Sequence, residues 1–398
     1  MSMRIHSLLL ACALIAPGIA SAQNTQTTDS SRTPTDSAST ATKVTLPPID
    51  FSGVVFGNYQ YQGAAGPTKD QNKFDVERAY LTFKMPAGDR AGIRVTADLY
   101  QQTTTGNDSY YKGWLFRAKY AYLQYDFVKA TKPSDWAFST RIGIVQTMLI
   151  DHEENFWPRW LSLTPVERAG YFSSADVGVA GIMTLPNKLG EIYTAITNGP
   201  GYASRETDRF KDYQARLTFT PLTTSDLSYL RSFAIDGWVY RGELASKFVS
   251  GGSGQIGAVG SGLDRNRYGV FAGIRDPRLT LGLDYAQRQD GMDTGANTAA
   301  APRGVSDSTG RLVSGYVVAR PFRIFDAKST VPLGIVARYD HVTPNTSTAP
   351  KINTFIGGLT WDLNKRTSVS LDYQEATPAN GAPVVPTKTY FMHWVANF

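Results

Sequence analysis

From Phe51 onward, apolar and polar side chains alternate with a period of two over stretches of about ten to thirteen residues. In Arg78 to Lys84, Ala79, Leu81 and Phe83 share one face, while Arg78, Tyr80, Thr82 and Lys84 share the other. Next, Ile93, Val95, Ala97 and Leu99 alternate with Arg94, Thr96, Asp98 and Tyr100. Much later, Leu279, Leu281, Leu283 and Tyr285 alternate with Thr280, Gly282, Asp284 and Ala286. A helix would group apolar residues three and four apart, so these are strands with one apolar face. About sixteen such segments are expected, at 51–61, 73–84, 90–101, 113–127, 135–147, 173–185, 189–199, 210–220, 230–242, 264–275, 278–290, 311–321, 331–341, 351–363, 366–376 and 388–398. Facing is ambiguous around Trp114 to Lys119, where a bulge would make the alternation slip.

Strand length and connections separate two all-β architectures. A strand of about twelve residues tilted by roughly 45° crosses the ~25 Å apolar band of an outer membrane. Strands of soluble sandwiches average about 5–6 residues. Short connections carry turn chemistry, as in Pro86-Ala87-Gly88-Asp89, Pro186-Asn187-Lys188, Asp276-Pro277 and Asn364-Lys365. Between them lie longer polar ones, Gly63 to Asn72, Gln102 to Lys112 and Glu243 to Gly262 among them, with medium turns such as Pro221 to Tyr229. The expected fold is therefore all-β: a transmembrane antiparallel β-barrel of about sixteen strands, occupying 49–398. Its last segment places Tyr390, Met392, Trp394, Ala396 and Phe398 on one face, like the insertion signal of outer-membrane barrels.

Composition agrees. Of the 398 residues 19% are charged and the mean hydropathy is −0.25, too polar for a bundle of membrane-spanning helices. The 21 Tyr, 19 Phe and 7 Trp suit aromatic girdles. At the other end, Arg4 and His6, the apolar run Leu8 to Ile19 and Ala20-Ser21-Ala22 read as a signal peptide over 1–22. Cys12 is the single cysteine and would leave with it, which excludes disulfides and thiolate chemistry from the remainder. Residues 23–48 form a Ser/Thr-rich leader, expected to be disordered because it has too little apolar area to offset ordering entropy. The modest, dispersed charge of +6 points to no nucleic-acid partner.

Candidate chemistry concentrates in the connection between the fifth and sixth strands, 148–172. It carries Asp151-His152-Glu153-Glu154, Phe156-Trp157-Pro158-Arg159-Trp160 and Glu167-Arg168. Apolar bulk among charges suits a loop folded inward against a barrel wall. Asp151, Glu153, Glu154, Arg159 and Arg168 are the candidate pore-constriction residues, unless their charges merely pair with the wall. Inward-facing strand positions add Arg78, Lys84, Arg94, Asp98, Arg141, Arg216 and Arg338 as candidate pore-lining residues. Further inward positions are Arg275, Asp126, Asp212, Asp284, Asp340 and Asp372, so both signs of charge line the lumen. His152, His341 and His393 show no metal-ligand spacing, no serine–histidine arrangement is readable, and Gly251-Gly252-Ser253-Gly254 lacks the Lys-Ser/Thr of a phosphate loop. No catalytic residue, metal or cofactor is expected.

Several segments resemble the phosphate-selective porin O/P family, in that family's order. They are Arg78-Ala79-Tyr80-Leu81; Arg141-Ile142-Gly143-Ile144-Val145-Gln146-Thr147 leading to Val166-Glu167-Arg168; Asp176-Val177-Gly178-Val179; Asn198-Gly199-Pro200-Gly201; Lys211-Asp212-Tyr213-Gln214-Ala215-Arg216; Thr220-Pro221; Ala337-Arg338-Tyr339; and Gly358-Leu359-Thr360-Trp361. The resemblance implies a sixteen-stranded porin, a homotrimer, with its third long loop folded inward. It does not establish phosphate specificity, because the family's arginine positions and lysine ladder are not matched residue by residue here. The expected function is passive diffusion of small hydrophilic solutes, phosphate-like anions among them, across the outer membrane of a Gram-negative-type bacterium. Expected partners are outer-membrane lipid and lipopolysaccharide, the barrel assembly machinery, and the small solute or anion itself. Two rivals remain open, a barrel enzyme such as a lipase or protease and a non-conducting structural barrel.

Overall fold

The structure, a computed structural model, describes residues 48–101, 113–206, 208–245, 262–294, 300, 304–347, 351–379 and 386–398. The signal-peptide segment, the leader as far as residue 47 and Gly251 to Gly254 lie outside the described residues.

Sixteen antiparallel strands close into one barrel in which each pairs with its sequence neighbours and β1 pairs with β16. They are β1 (Asp50–Gln62), β2 (Asn72–Pro86), β3 (Ala91–Gln101), β4 (Trp114–Val128), β5 (Ala137–Gln146), β6 (Ala175–Thr184), β7 (Gly190–Thr197), β8 (Asp212–Phe219), β9 (Ala234–Ala245), β10 (Gly262–Arg275), β11 (Leu279–Thr294), β12 (Gly304–Ala319), β13 (Leu333–Thr343), β14 (Lys351–Asp362), β15 (Thr367–Ala379) and β16 (Thr387–Asn397). Short helices stand between strands: α1 (Ile150–Glu153) and α2 (Pro165–Arg168) after β5, and α3 (Pro321–Phe325) after β12.

The alternation seen in the sequence becomes an outside and an inside. Val177, Val239, Val270, Leu283, Leu359 and Leu371 point out and are exposed. Apolar area in water costs about 25 cal/mol per Å², so this face requires lipid. Aromatic belts rim it at both ends. Phe51 packs on Phe83 and Phe398 at one rim, with ring centroids 5.1 and 5.9 Å apart. At the other rim Tyr59 meets Phe74 and Tyr373 meets Tyr390, at 4.9 and 5.1 Å. Inside, Asp98, Asp212, Asp236, Arg267 and Arg338 are buried, as ions tolerate only in paired or wet surroundings.

Two irregularities alter what faces inward. Between β3 and β4 the register shifts at Thr96/Ala97, leaving Lys119 as an extra residue. Lys119 and Tyr120 consequently both point into the barrel and are buried. This is the bulge that the sequence flagged near Trp114 to Lys119. A second shift at Phe56/Gly57 makes Glu77 the extra residue, so Glu77 and Arg78 both face in. Boundaries differ most at β12, which starts at Gly304 instead of residue 311, and also at β9, which spans Ala234–Ala245 instead of 230–242, and at β11, which runs to Thr294 instead of 290. The β11 and β12 ends read Asp290-Gly291-Met292-Asp293-Thr294 and Gly304-Val305-Ser306-Asp307-Ser308-Thr309-Gly310. They pair with each other but lack sustained alternation, as expected of a ribbon whose two faces both meet water.

Candidate functional site: the lumen and its inward segment

The segment from Thr147 to Ser174 leaves β5 and crosses the interior before β6 begins. Its start is pinned by β8, where the Gln214 side-chain oxygen accepts from the Met148 amide at 3.2 Å and Arg216 donates to the Met148 carbonyl. His152 on α1 bonds Asp236 of β9 at 2.8 Å. Phe156 packs on Phe271 of β10, and Trp157 lies edge-on to Tyr316 of β12 at 5.2 Å. Farther along, Arg338 of β13 donates to the Leu163 carbonyl at 2.6 Å, and Gln374 of β15 donates to that of Leu161 at 2.9 Å. Trp160 reaches His393 of β16. On the way back, the Tyr171 hydroxyl donates to the Ala286 carbonyl of β11 at 3.1 Å, and Phe172 stacks on Tyr240 of β9. A segment touching β8 through β13, β15 and β16 of a closed barrel runs through its lumen.

The apolar residues explain why it stays there. Met148, Leu149, Ile150, Trp157, Leu161 and Val166 are fully buried, in two clusters with wall residues such as Tyr120, Trp238, Leu312 and Phe271, Tyr316, Ile356. Each such side chain stabilises the inward position by roughly 1.5–3 kcal/mol over exposure. Pro165 starts α2, where its missing N–H costs nothing.

The acidic and basic candidates of this segment separate. Asp151 is exposed to the lumen and, among the described residues, its carboxylate has no ion-pair partner. Protein nonetheless encloses it, and that desolvation, reinforced by Glu154, raises its carboxyl above the usual range while Arg94, Lys119 and Arg141 pull the other way. Glu154 bonds Arg159 at 2.6 Å and lies 3.9 Å from Lys119. Glu153 departs from the expectation, being fully buried against β11 rather than facing the solute path. Arg159 does as well, since Glu154 and Glu167 clamp its guanidinium within the segment itself. Arg168 is exposed and donates to Ser162 and to Gln374 at 2.8 and 3.2 Å.

The wall candidates divide likewise. Lys84, Arg94 and Arg141, on β2, β3 and β5, have no carboxylate partner among the described residues. Arg94 lies over Tyr120 and donates to Thr96, while Arg141 lies over Tyr122 and donates to Gln124 and Gln146. These three cations, with Asp50, Tyr122 and Gln124, border a cavity of about 600 Å³. Arg78 is half-buried, 3.9 Å from Asp98, which is itself buried and bound by Arg117 at 3.0 Å. Arg216 and Arg338 face inward but are almost wholly covered, and both bond carbonyls of the crossing segment and hold it in place; Arg216 also pairs with Glu191.

Sequence reasoning missed several inward cations, among them Arg265 and Arg267 of β10, which pair with Asp212 and Asp290, and two on β4. Lys119 reaches the lumen only through the bulge and lies 4.2 Å from the Tyr80 ring centre. Arg117 is sandwiched between Tyr100 and Tyr202, at 4.3 and 4.5 Å. Among the described residues, no group of three or more His, Cys, Asp and Glu is placed to hold a metal ion.

No protein-family profile matches the chain, and no curated protein does. Solved structures do. The anion-selective porin from Comamonas acidovorans superposes with a TM-score of 0.59 at 9% identity, covering 88% of this chain and 99% of that one. Salmonella typhi OmpF, solved in complex with daunomycin, gives 0.56 at 12% identity, over 88% of this chain and 98% of that one. The outer-membrane channel DcaP of Acinetobacter baumannii gives 0.55 at 14% identity, over 88% and 97%. The fold is thus that of the outer-membrane porins, and the narrower O/P resemblance is not confirmed by these comparisons.

Proposed function

We propose that this barrel is a passive channel of the Gram-negative outer membrane, reached by way of a cleaved signal peptide, that admits small hydrophilic solutes and favours anions, phosphate included. One observation carries the preference. Lys84, Arg94 and Arg141 line one side of the lumen without carboxylate partners, whereas most carboxylates inside are bound to cations of the protein. Uncompensated charge of one sign in a narrow, low-dielectric passage raises the local concentration of the opposite ion. The crossing segment narrows the passage, and Asp151 faces the cations across it. Assembly as a homotrimer in lipopolysaccharide-containing membrane belongs to the same reading, supported by the apolar, belted outer face and the porin-like fold.

Planar-bilayer recordings under a salt gradient test this. Ohmic single-channel currents with a reversal potential on the anion side are expected. A cation-side potential would remove the preference, and the absence of current from heat-modifiable, folded protein would remove the channel.

A further inference from the structure

Where the crossing segment meets β11, polar groups are left without partners. Glu153 on α1 is 0% exposed and Asp284 on β11 only 4%. Among the described residues no cation bonds either carboxyl group, and the nearest hydroxyls are those of Thr164, beside Glu153, and Tyr316, both buried. The two carboxyl groups are within hydrogen-bonding reach of each other.

The charged groups around the pair are already engaged. Arg338 on β13 gives Nε and Nη2 to Asp340, at 2.8 and 2.7 Å, and Nη1 to the Leu163 carbonyl. Asp236 on β9 takes His152 of the segment at 2.8 Å and the Thr218 hydroxyl, with Arg216 of β8 3.9 Å away. Arg168, on the segment near Arg338 and Asp340, donates to Ser162 and Gln374. Among the described residues no cation is left over for Glu153 and Asp284, and two buried neighbouring carboxylates cannot both stay ionised without one.

We propose that Glu153 and Asp284 bind a single proton between them, and that this shared proton fastens the crossing segment to β11. One carboxyl then donates its O–H to the other, replacing repulsion by a charge-assisted hydrogen bond. Burial first, and the neighbouring Asp284 second, hold the Glu153 carboxyl well above the usual carboxylate range, which favours the protonated form. For an acid raised in this way the folded arrangement binds more protons than the released one. Its stability therefore falls as pH rises and the proton is lost. Alkaline medium should loosen the segment from β11 and widen the passage, a consequence that rests on the channel reading above.

Two measurements on the full chain separate these claims. Infrared spectroscopy of the folded barrel should show a protonated-carboxyl C=O band at neutral pH that disappears in Glu153→Gln and again in Asp284→Asn. These amides supply the missing N–H donor without a proton. Absence of that band in the wild type, or its survival in both variants, overturns the shared proton, whatever the protein conducts. In bilayers, wild-type conductance should rise stepwise as the medium is made alkaline, and either amide variant should lose the step. A flat wild-type response, or a step retained in both variants, overturns the fastening role. If a divalent chelator at neutral pH reproduces the alkaline state, a metal ion occupies the site and the proposal fails.

Discussion

The two sides of the lumen use similar residues to opposite ends. On β8 through β13, the inward arginines are covered and paired with carboxylates: Arg338 is 1% exposed and bound to Asp340 and the Leu163 carbonyl, and Arg265 is bound to Asp212 at 3.0 Å. On β2, β3 and β5, Arg94 and Arg141 lie over tyrosine rings and meet only neutral side-chain partners. A ring face steadies a guanidinium without cancelling its charge, so this wall keeps a field the other has spent on holding the crossing segment. Inward position alone does not make a residue part of the solute path. What covers it and what neutralises it decide that.

The sharpest way to break this comparison is to truncate one arginine on each side. Arg338→Ala leaves Asp340 buried and unpaired, and should cost about 3–5 kcal/mol in urea unfolding of the detergent-folded barrel. Arg94→Ala should stay within about 0.5 kcal/mol of wild type. Equal losses would erase the distinction between a wall that holds and a wall that conducts.

Excising most of Asp151 to Pro165 should raise single-channel conductance, because Phe156, Trp157 and Leu161 then no longer fill the interior. Unchanged conductance from a folded barrel would place the current elsewhere. The double change Arg94→Ala with Arg141→Ala should move the reversal potential toward cations, whereas Arg216→Ala, altering a covered residue, should move it less. The reverse order would assign the field to the wrong wall. The smallest effect is expected from Lys84→Ala, beside Asp50 at the mouth. It should be a minor shift, clearest at low ionic strength, where screening reaches only beyond roughly 30 Å.

The strands were legible because lipid outside and water inside impose a two-residue rhythm on every crossing. That rhythm disappears where both faces are wet, hence the misplaced start of β12. It also slips where one extra residue enters, so Lys119 was not assigned to the lumen although the slip itself was foreseen. The inward path of Thr147 to Ser174 left a mark in its apolar bulk, Trp157 and Trp160 above all. Its partners left none. Leu163 meets Arg338 and Leu161 meets Gln374 across 175 and 213 residues of sequence, and no local pattern encodes such pairings. Arg159 shows the same limit: charge was readable, but not that Glu154 and Glu167 would consume it.

The seam between β1 and β16 has a consequence for how the molecule forms. Val54 pairs with Asn397 and Gln62 with Thr389, joining residues from nearly opposite ends of the sequence. Every other strand pair is local by comparison, so the loop-closure entropy of the longest contact falls on this one event. Assembly rates should accordingly be governed by the seam. Until it closes, β1 and β16 each expose a row of unpaired amides and carbonyls that another chain is able to join. A chaperone or insertase that shields those two edges would act on the step most exposed to aggregation. A cross-link between β1 and β16 would trap the molecule after that step.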